Sequence, residues 1–370
     1  MEESHLNFYG LGIAPKLIEA LERLKFKTAT PIQHKAIPIA LQGNDVIGIA
    51  QTGTGKTFAF AIPTIQQLAQ NKSRALVLVP TRELAFQVEE SVMKLSNAFG
   101  IKTVTLVGGA PIFKQIQALS RNPRVLIATP GRLIDLMRQR KVSLSDIRIL
   151  ILDEADRMLD MGFAPQIDTI LKTVPSARQT MLFSATMPPT IVRMVSSYMK
   201  TPVHVEIAPA GTAAEGVTHE VFIVKPEMKK DLLRKVLSQF RGSILLFCRT
   251  KMGAGKLVKV VTGFGYSAAE IHSDRSLAQR RHALEGFKTG QYKILVATDI
   301  AARGIDVKGI ELVLNYDLPE NADSYVHRIG RTGRAGTKGH AISFVAPNQR
   351  RSVFDIEKLI KVSIKKHSHH

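Results

Sequence analysis

Short unbroken apolar runs recur along the first half of the chain, at 46–49, 75–79, 103–107, 124–128, 148–152 and 180–184, with helical segments between them. Runs rich in Val, Ile and Leu that lack polar alternation read as strands covered on both faces. Their alternation with helices predicts a parallel sheet with crossover helices. A stretch of small residues at 208–216 has no large apolar anchor and reads as a linker. Beyond it the runs resume at 219–224, 243–248, 293–297, 311–315 and 340–345. The expected fold class is therefore α/β, with one parallel sheet flanked by helices in each of two domains, 1–207 and 218–370, joined by a flexible linker at 208–217.

The chain has 370 residues, of which 45% are hydrophobic, enough for each half to bury its own core. No apolar run approaches the roughly 18 residues of a membrane span, and no signal-peptide pattern opens the sequence. A soluble, non-exported protein is expected. The single cysteine, Cys248, ends an apolar run and reads as a small core or strand-end residue, so no disulfide can form within the chain. The last residues, His367-Ser368-His369-His370, read as a frayed end with no metal role.

Charge changes the picture more. The formal net charge is +20, and on either side of residue 210 it is +8 and +12. An excess spread over both halves favours a polyanionic partner.

The chemistry begins after the first run, at Ala50-Gln51-Thr52-Gly53-Thr54-Gly55-Lys56-Thr57. This is the phosphate-binding loop pattern with Ala at its first Gly position. Gly53 and Gly55 let the backbone turn tightly and aim N–H groups at phosphate oxygens. A helix starting near Gly55 adds its positive end. Lys56 can reach β- and γ-phosphates, and the Thr57 hydroxyl can ligate Mg²⁺. Asp153-Glu154-Ala155-Asp156 follows the run at 148–152, where open α/β sheets place ligands. Alone, such a cluster is most often just the start of a solvated loop. Beside a phosphate loop it becomes a site for metal and water.

In the second half, residues 325–334 pack Arg328, Arg331, Arg334 and His327 into ten positions, expected to open a helix. They form either a solvated face or, opposite a triphosphate, a source of arginine fingers in Arg331 and Arg334. Planar guanidinium groups there stabilise charge on the γ-phosphoryl oxygens. The cluster from Thr298 through Arg303 to Asp306 follows another run, and Asp306 suits either a site or a helix cap.

With these residues in view the chain resembles the DEAD-box RNA helicases, the bacterial RhlE-type branch in particular, from about Phe8 to Phe344. The resemblance implies two RecA-like domains, ATP and Mg²⁺ as cofactors, and RNA-stimulated hydrolysis coupled to domain closure and local duplex unwinding. An ATP-gated RNA clamp or annealing factor is the alternative. Carried onto this sequence, it makes Gln33 the adenine reader, with Phe26 stacked on the base and Phe8 supporting the pocket. Asp153 holds Mg²⁺ and Glu154 polarises the attacking water. Ser184, Thr186, Asp156 and His327 couple hydrolysis to closure, while Gly304 and Asp306 touch γ-phosphate and ribose.

For RNA the resemblance implies Pro80, Thr81, Arg82, Gly108, Gly109, Thr129, Pro130, Gly131 and Arg132 on the first domain. On the second it implies Phe247, Arg249, Thr250, Arg275, Arg280 and Thr298. Helix starts, Gly turns and Arg or Thr side chains suit phosphate and 2′-OH contacts, so binding is expected to be independent of sequence. With Trp absent and Tyr scarce, stacking is not expected to dominate. A cytoplasmic monomer is expected, with ribosome-assembly or RNA-decay proteins as partners by analogy. Four positions depart from the family's usual residues: Lys25 and Ser273 replace Gly, Ala29 replaces Pro, and Leu277 replaces Gln.

Overall fold

The computed structural model describes residues 6–51, 53–207, 216–299, 307, 309–333 and 338–368. The chain divides into two compact units, Met1–Ala210 and Gly211–His370. Of the expected linker, residues 208–215 lie outside the described residues.

The first unit is built on strands β1 (Val46–Ile49), β2 (Arg74–Leu78), β3 (Thr103–Leu106), β4 (Val125–Ala128), β5 (Ile147–Asp153), β6 (Gln179–Ser184) and β7 (Val203–Glu206). Their order is β3-β4-β2-β5-β6-β1-β7. Every pairing is parallel. Alternate residues of one strand feed opposite cores, as the two-residue period requires. Ala75 and Val77 enter the core containing Phe60 and Phe183, whereas Leu76 and Leu78 enter the one containing Met158 and Ile170.

The second unit contains β8 (Val217–Ile223), β9 (Ser243–Phe247), β10 (Ala268–Ile271), β11 (Ile294–Ala297), β12 (Ile310–Asn315), β13 (Gly339–Val345) and β14 (Lys365–Ser368). The order β10-β11-β9-β12-β13-β8-β14 is the first sheet's order with each number raised by seven. All these pairings are also parallel. The two halves therefore share one topology, although only the first carries a phosphate loop in its sequence.

Two expectations are corrected. The tail is not frayed at His367, because Lys365–Ser368 pairs with β8. The His367 ring stacks on Phe222 at 4.6 Å and its Nε2 lies 2.7 Å from Glu220 Oε2. A strand of polar residues on a sheet edge carries no apolar run to betray it. His369 and His370 lie outside the described residues. Residues 325–334 do not open a helix either. The helix spans Ala322–Ile329, with Asn321 accepting from the Ser324 N–H at 2.8 Å, so His327 and Arg328 lie in its last turn. The Arg328 guanidinium there complements the negative helix end.

Cys248 is buried, and desolvation pushes its thiol up to about 12. Among the described residues no helix is long and apolar enough to cross a membrane.

Candidate functional site

Parallel strands put all their carboxyl ends on one edge of a sheet, and the first unit's candidate residues follow those ends. The phosphate loop follows β1. Gly53 and Gly55 have φ of +86° and +92°, conformations that glycine adopts without Cβ strain. Gly55 sits at the N-cap of the helix Lys56–Gln70, so free N–H groups face the loop. The Thr54 hydroxyl donates to Gln51 O at 2.7 Å, and Lys56 Nζ donates to Ala50 O at 2.8 Å. Lys56 is thereby held inside the loop, buried, while Thr57 is half-buried beside it. Thr52 lies outside the described residues.

Asp153 ends β5 and is 3% exposed. Burial pushes its carboxyl up to about 7, with the Lys56 ammonium and the Glu154 N–H (3.0 Å from Oδ1) opposing the rise. A buried carboxylate held between a lysine and a phosphate loop fits a divalent cation, which would supply the missing positive charge. Among the described residues no group of three or more His, Cys, Asp or Glu could hold a metal alone. That donor set fits Mg²⁺, which is usually held by one or two carboxylates together with substrate phosphates.

Glu154 adopts a left-handed conformation, φ +53°, and Oε2 accepts from Arg157 Nη1 at 2.6 Å. Asp156 turns the other way. Its Oδ2 accepts from the Ala185 N–H at 3.1 Å, the Thr186 N–H at 2.9 Å and the Thr186 hydroxyl at 3.1 Å. The Asp156 N–H donates to Ser184 Oγ at 3.2 Å. Asp156, Ser184 and Thr186 are thus one hydrogen-bonded group at the ends of β5 and β6.

Ahead of the loop, Gln33 Oε1 accepts from the Thr30 N–H and Nε2 donates to Gly55 O, each at 3.0 Å. One amide thus caps the helix Pro31–Leu41 and fixes the phosphate loop. Phe8, 4% exposed, and Phe26, 39% exposed, line one cavity of about 370 Å³ with Tyr9, Ile18, Leu21, Glu22 and Lys27. The Phe26 ring lies 4.8 Å from that of Phe58 on the helix that the loop opens. Two departures from the family pattern acquire physical content here. Lys25 has φ +62°, where glycine would be unstrained. Ala29 donates its N–H to Leu6 O at 2.8 Å, a bond that proline lacks the hydrogen to make.

The first unit's RNA candidates occupy the ends of the adjacent strands β2, β4 and β3. Thr81 Oγ1 accepts from the Leu84 N–H at 3.3 Å and caps the helix Arg82–Ser96. The Arg82 guanidinium lies against Gly108 and Gly109, where a Cβ on Gly109 (φ +71°) would collide with it. Thr129 and Pro130 open the helix Pro130–Arg138, Gly131 is exposed, and Arg132 Nη1 donates to Ala110 O at 3.3 Å. Arg82 and Arg132 therefore join the three loops into one surface. Pro80 is buried beneath it.

In the second unit Thr250 Oγ1 accepts from the Gly253 N–H at 3.0 Å and caps the helix Lys251–Gly263, with Arg249 exposed beside it. Arg275 is ion-paired with Glu270, and Thr298 is half-buried. Phe247 is corrected: its side chain is 2% exposed in the core and its carbonyl accepts from the Tyr316 N–H at 2.9 Å. The ring is therefore not presented at the surface, because β9 runs through Phe247 and turns its side chain into the core. Arg280 is buried too, on the helix Leu277–Lys288. Nearby Gln279 is committed to a capping box with Ser276. His327 and Arg331 are buried, at the end of their helix and just beyond it. Gly304, Asp306 and Arg334 lie outside the described residues.

Two arginines carry contacts that the sequence did not assign: Arg157 was not singled out, and Arg328 was named only as part of the basic cluster at 325–334. Arg157, 1% exposed, holds Glu154. Its spacing of three from Glu154 on a helical segment is the signal that could have found it. Arg328 donates from Nε and Nη2 to the two Asp299 carboxylate oxygens at 2.5 and 2.7 Å, and from Nη1 to Asn315 Oδ1 at 2.9 Å. Its guanidinium lies 4.9 Å from the Phe247 ring centre. No local sequence pattern predicts that network, because its members come from a helix end and two separate strand ends.

The profile of the DEAD/DEAH box helicase family matches residues 30–195, and that of the helicase conserved C-terminal domain matches 227–336. The ATP-dependent RNA helicase CshA of Listeria monocytogenes is 44% identical over 96% of this chain and 69% of its own length. The ATP-dependent rRNA helicase RRP3 of Meyerozyma guilliermondii is 41% identical over 98% and 76%. Among solved structures, S. cerevisiae Dbp5 bound to RNA and ADP BeF3 superposes with a TM-score of 0.89 at 31% identity, covering 98% of this chain and 95% of that one. Motif residues at the carboxyl ends of two sheets of one topology, and likeness over nearly the whole length, lead to one conclusion: the chain belongs to the DEAD/DEAH box helicase family.

Proposed function

We propose that the protein is an ATP-dependent RNA helicase whose hydrolysis is stimulated by RNA and which opens short duplexes locally. One observation carries this reading: a single sheet edge holds the phosphate loop with Lys56, the Asp153 and Glu154 carboxylates, and the Arg82 and Arg132 surface. Nucleotide chemistry and phosphate-backbone contacts then share one rigid scaffold.

The proposed roles follow from the chemistry of each group. Lys56 and the N–H groups of Gln51, Gly53, Thr54 and Gly55 neutralise the phosphates, and Gln33 reads adenine beside Phe26. Asp153 and Thr57 hold Mg²⁺, which supplies charge on the β- and γ-oxygens. Glu154 accepts a proton from the attacking water, held in place by Arg157. Asp156 carries the event to Ser184 and Thr186, with His327 as their correspondent on the second domain. Arg331 and Arg334 would stabilise the transition state by about 10³–10⁵ in rate if closure brings them to the γ-phosphate. The domains are taken as 1–207 and 218–370 about the linker at 208–217.

The finer placements rest on resemblance and analogy. We assign the protein to the bacterial RhlE-type branch on the motifs from Phe8 to Phe344. A monomer working in the cytoplasm on ribosome assembly or RNA decay fits that assignment.

The test is ATP turnover with and without single-stranded RNA, together with displacement of one strand from a short duplex. Stimulation and displacement are expected. Equal turnover in both conditions would sink the reading, and stimulation without displacement would replace it with the RNA clamp.

A further inference from the structure

Phe113 is 82% exposed, more than any other large hydrophobic side chain among the described residues. It lies in the first turn of the helix Ile112–Leu119, directly after the Gly108-Gly109 turn that follows β3. The helix does not need it for packing. Ile112, Ile116 and Leu119 pack on the core, while Gln115 Oε1 accepts from the Val107 N–H at 3.1 Å and Nε2 donates to Val107 O at 3.0 Å. A ring on so firmly anchored a turn is presented to solvent in a fixed place.

Its neighbours are polar and basic. The Arg82 guanidinium covers Gly108 and Gly109, Arg132 donates to Ala110 O, and Lys114 is exposed alongside. Arginines and Gly turns of this kind grip phosphates and riboses but offer nothing to a base face. A strand held by its backbone on that surface turns its bases outward, and an aromatic ring at the border is the group that can receive one. A single exposed apolar residue elsewhere would need no explanation. Here it adjoins the only described loops that Arg82 and Arg132 tie together.

We propose that Phe113 is a base-stacking contact, seating one nucleobase of the bound RNA strand at the Gly108-Gly109 end of the first unit's RNA surface. The proposal rests on the helicase reading above. It makes the first unit's recognition part backbone and part base face, tolerant of sequence because every base has a π-face.

The chain contains no tryptophan, so F113W introduces a single fluorophore at the site. Titration with a single-stranded RNA oligonucleotide is expected to quench that fluorescence to saturation. An abasic strand of the same length is expected to bind without quenching. F113A is expected to weaken binding of the intact strand by about 5- to 150-fold. Its affinities for intact and abasic strands should then converge. Circular dichroism and thermal melting confirm that both variants are folded. Wild-type affinity in F113A, or saturable binding to F113W with unchanged fluorescence, overturns the stacking contact while leaving the helicase reading intact. Failure of the wild-type chain to bind RNA overturns the helicase reading and this contact with it.

Discussion

Arg157 Nη1 donates to Glu154 Oε2 at 2.6 Å, and both side chains are almost wholly buried. The carboxylate proposed to activate water is therefore fixed by a neighbour on its own helix. Removing one member of a buried pair takes a compensating charge away from the other, at a cost of about 3–5 kcal/mol. Arg157→Met should lower the stability of the first unit by that order in urea unfolding. The double variant Glu154→Gln, Arg157→Met should recover part of the loss, because the carboxylate that Arg157 compensated is gone. Additive losses in the double-mutant cycle would show that the two groups are not coupled.

Glu154→Gln separates binding from chemistry. The amide keeps the size of the side chain but cannot accept a proton from water, so turnover should fall by about 10²–10⁴ while ATP and RNA binding persist. Single-turnover hydrolysis alongside equilibrium binding of a fluorescent ATP analogue reads both. Turnover near the wild-type rate would assign the general base elsewhere.

Lys25 offers a gain. Its φ of +62° costs a side-chain-bearing residue about 1–2 kcal/mol that glycine avoids, whereas glycine loses about 0.5–1 kcal/mol more conformational entropy on folding. The balance predicts that Lys25→Gly stabilises the first unit by up to roughly 1.5 kcal/mol, read as a raised urea midpoint. A lowered midpoint would mean that the lysine side chain contributes more than the strain removes.

The sequence made the fold legible wherever burial wrote an apolar run: β1 to β6 of the first sheet, and five strands of the second, of which β8 is only partly buried. It was silent at β7, β10 and β14, whose short, small-residue or polar segments are held by pairing with a neighbour rather than by their own hydrophobicity. The site was legible where chemistry needs contiguous residues, as in the phosphate loop from Ala50 to Thr57 and the cluster from Asp153 to Asp156. Groups assembled from separate elements, such as Arg328 on its helix with Asp299 and Asn315 at strand ends, leave no spacing to read. Phe247 shows the converse error, since its place in a motif-like segment says nothing about which way the side chain points.

Buried His219 supplies a pH dependence. Its Nδ1 lies 2.9 Å from the Tyr325 hydroxyl, its Nε2 has no hydrogen-bond partner among the described residues, and burial pushes the ring down to about 4. The same burial holds the Tyr325 phenol above its usual range. The unfolded chain takes up this proton near pH 6.5 and the folded chain only near 4, so the unfolded state binds more protons between those values. The contribution is complete above about pH 6.5 and is lost progressively as pH falls towards 4. In urea unfolding, the wild type should lose stability relative to His219→Gln over that window. An NMR titration should show the ring still neutral at pH 5; protonation near 6.5 would refute the assignment.

Gly55 tests whether the loop and Gln33 are one device. An added Cβ would lie 2.4 Å from Gln33 Nε2 and 2.9 Å from Thr30 Oγ1, and φ is +92°. Gly55→Ala therefore meets two separate obstacles, a side-chain collision and a backbone conformation that alanine resists. Trimming the amide with Gln33→Ala removes the closer collision and leaves only the 2.9 Å approach to the Thr30 hydroxyl, which a rotation of that side chain relieves, beside the backbone conformation. Gly55→Ala should abolish measurable ATP binding. The double variant should stay far below Gln33→Ala alone, because the loop's N–H groups remain misdirected and the helix starting at Lys56 loses its N-cap geometry. Equilibrium binding of ATP to the three variants decides the matter. If the double variant binds as well as Gln33→Ala, the collision was the whole obstacle, and the left-handed turn is not what aims the loop at phosphate.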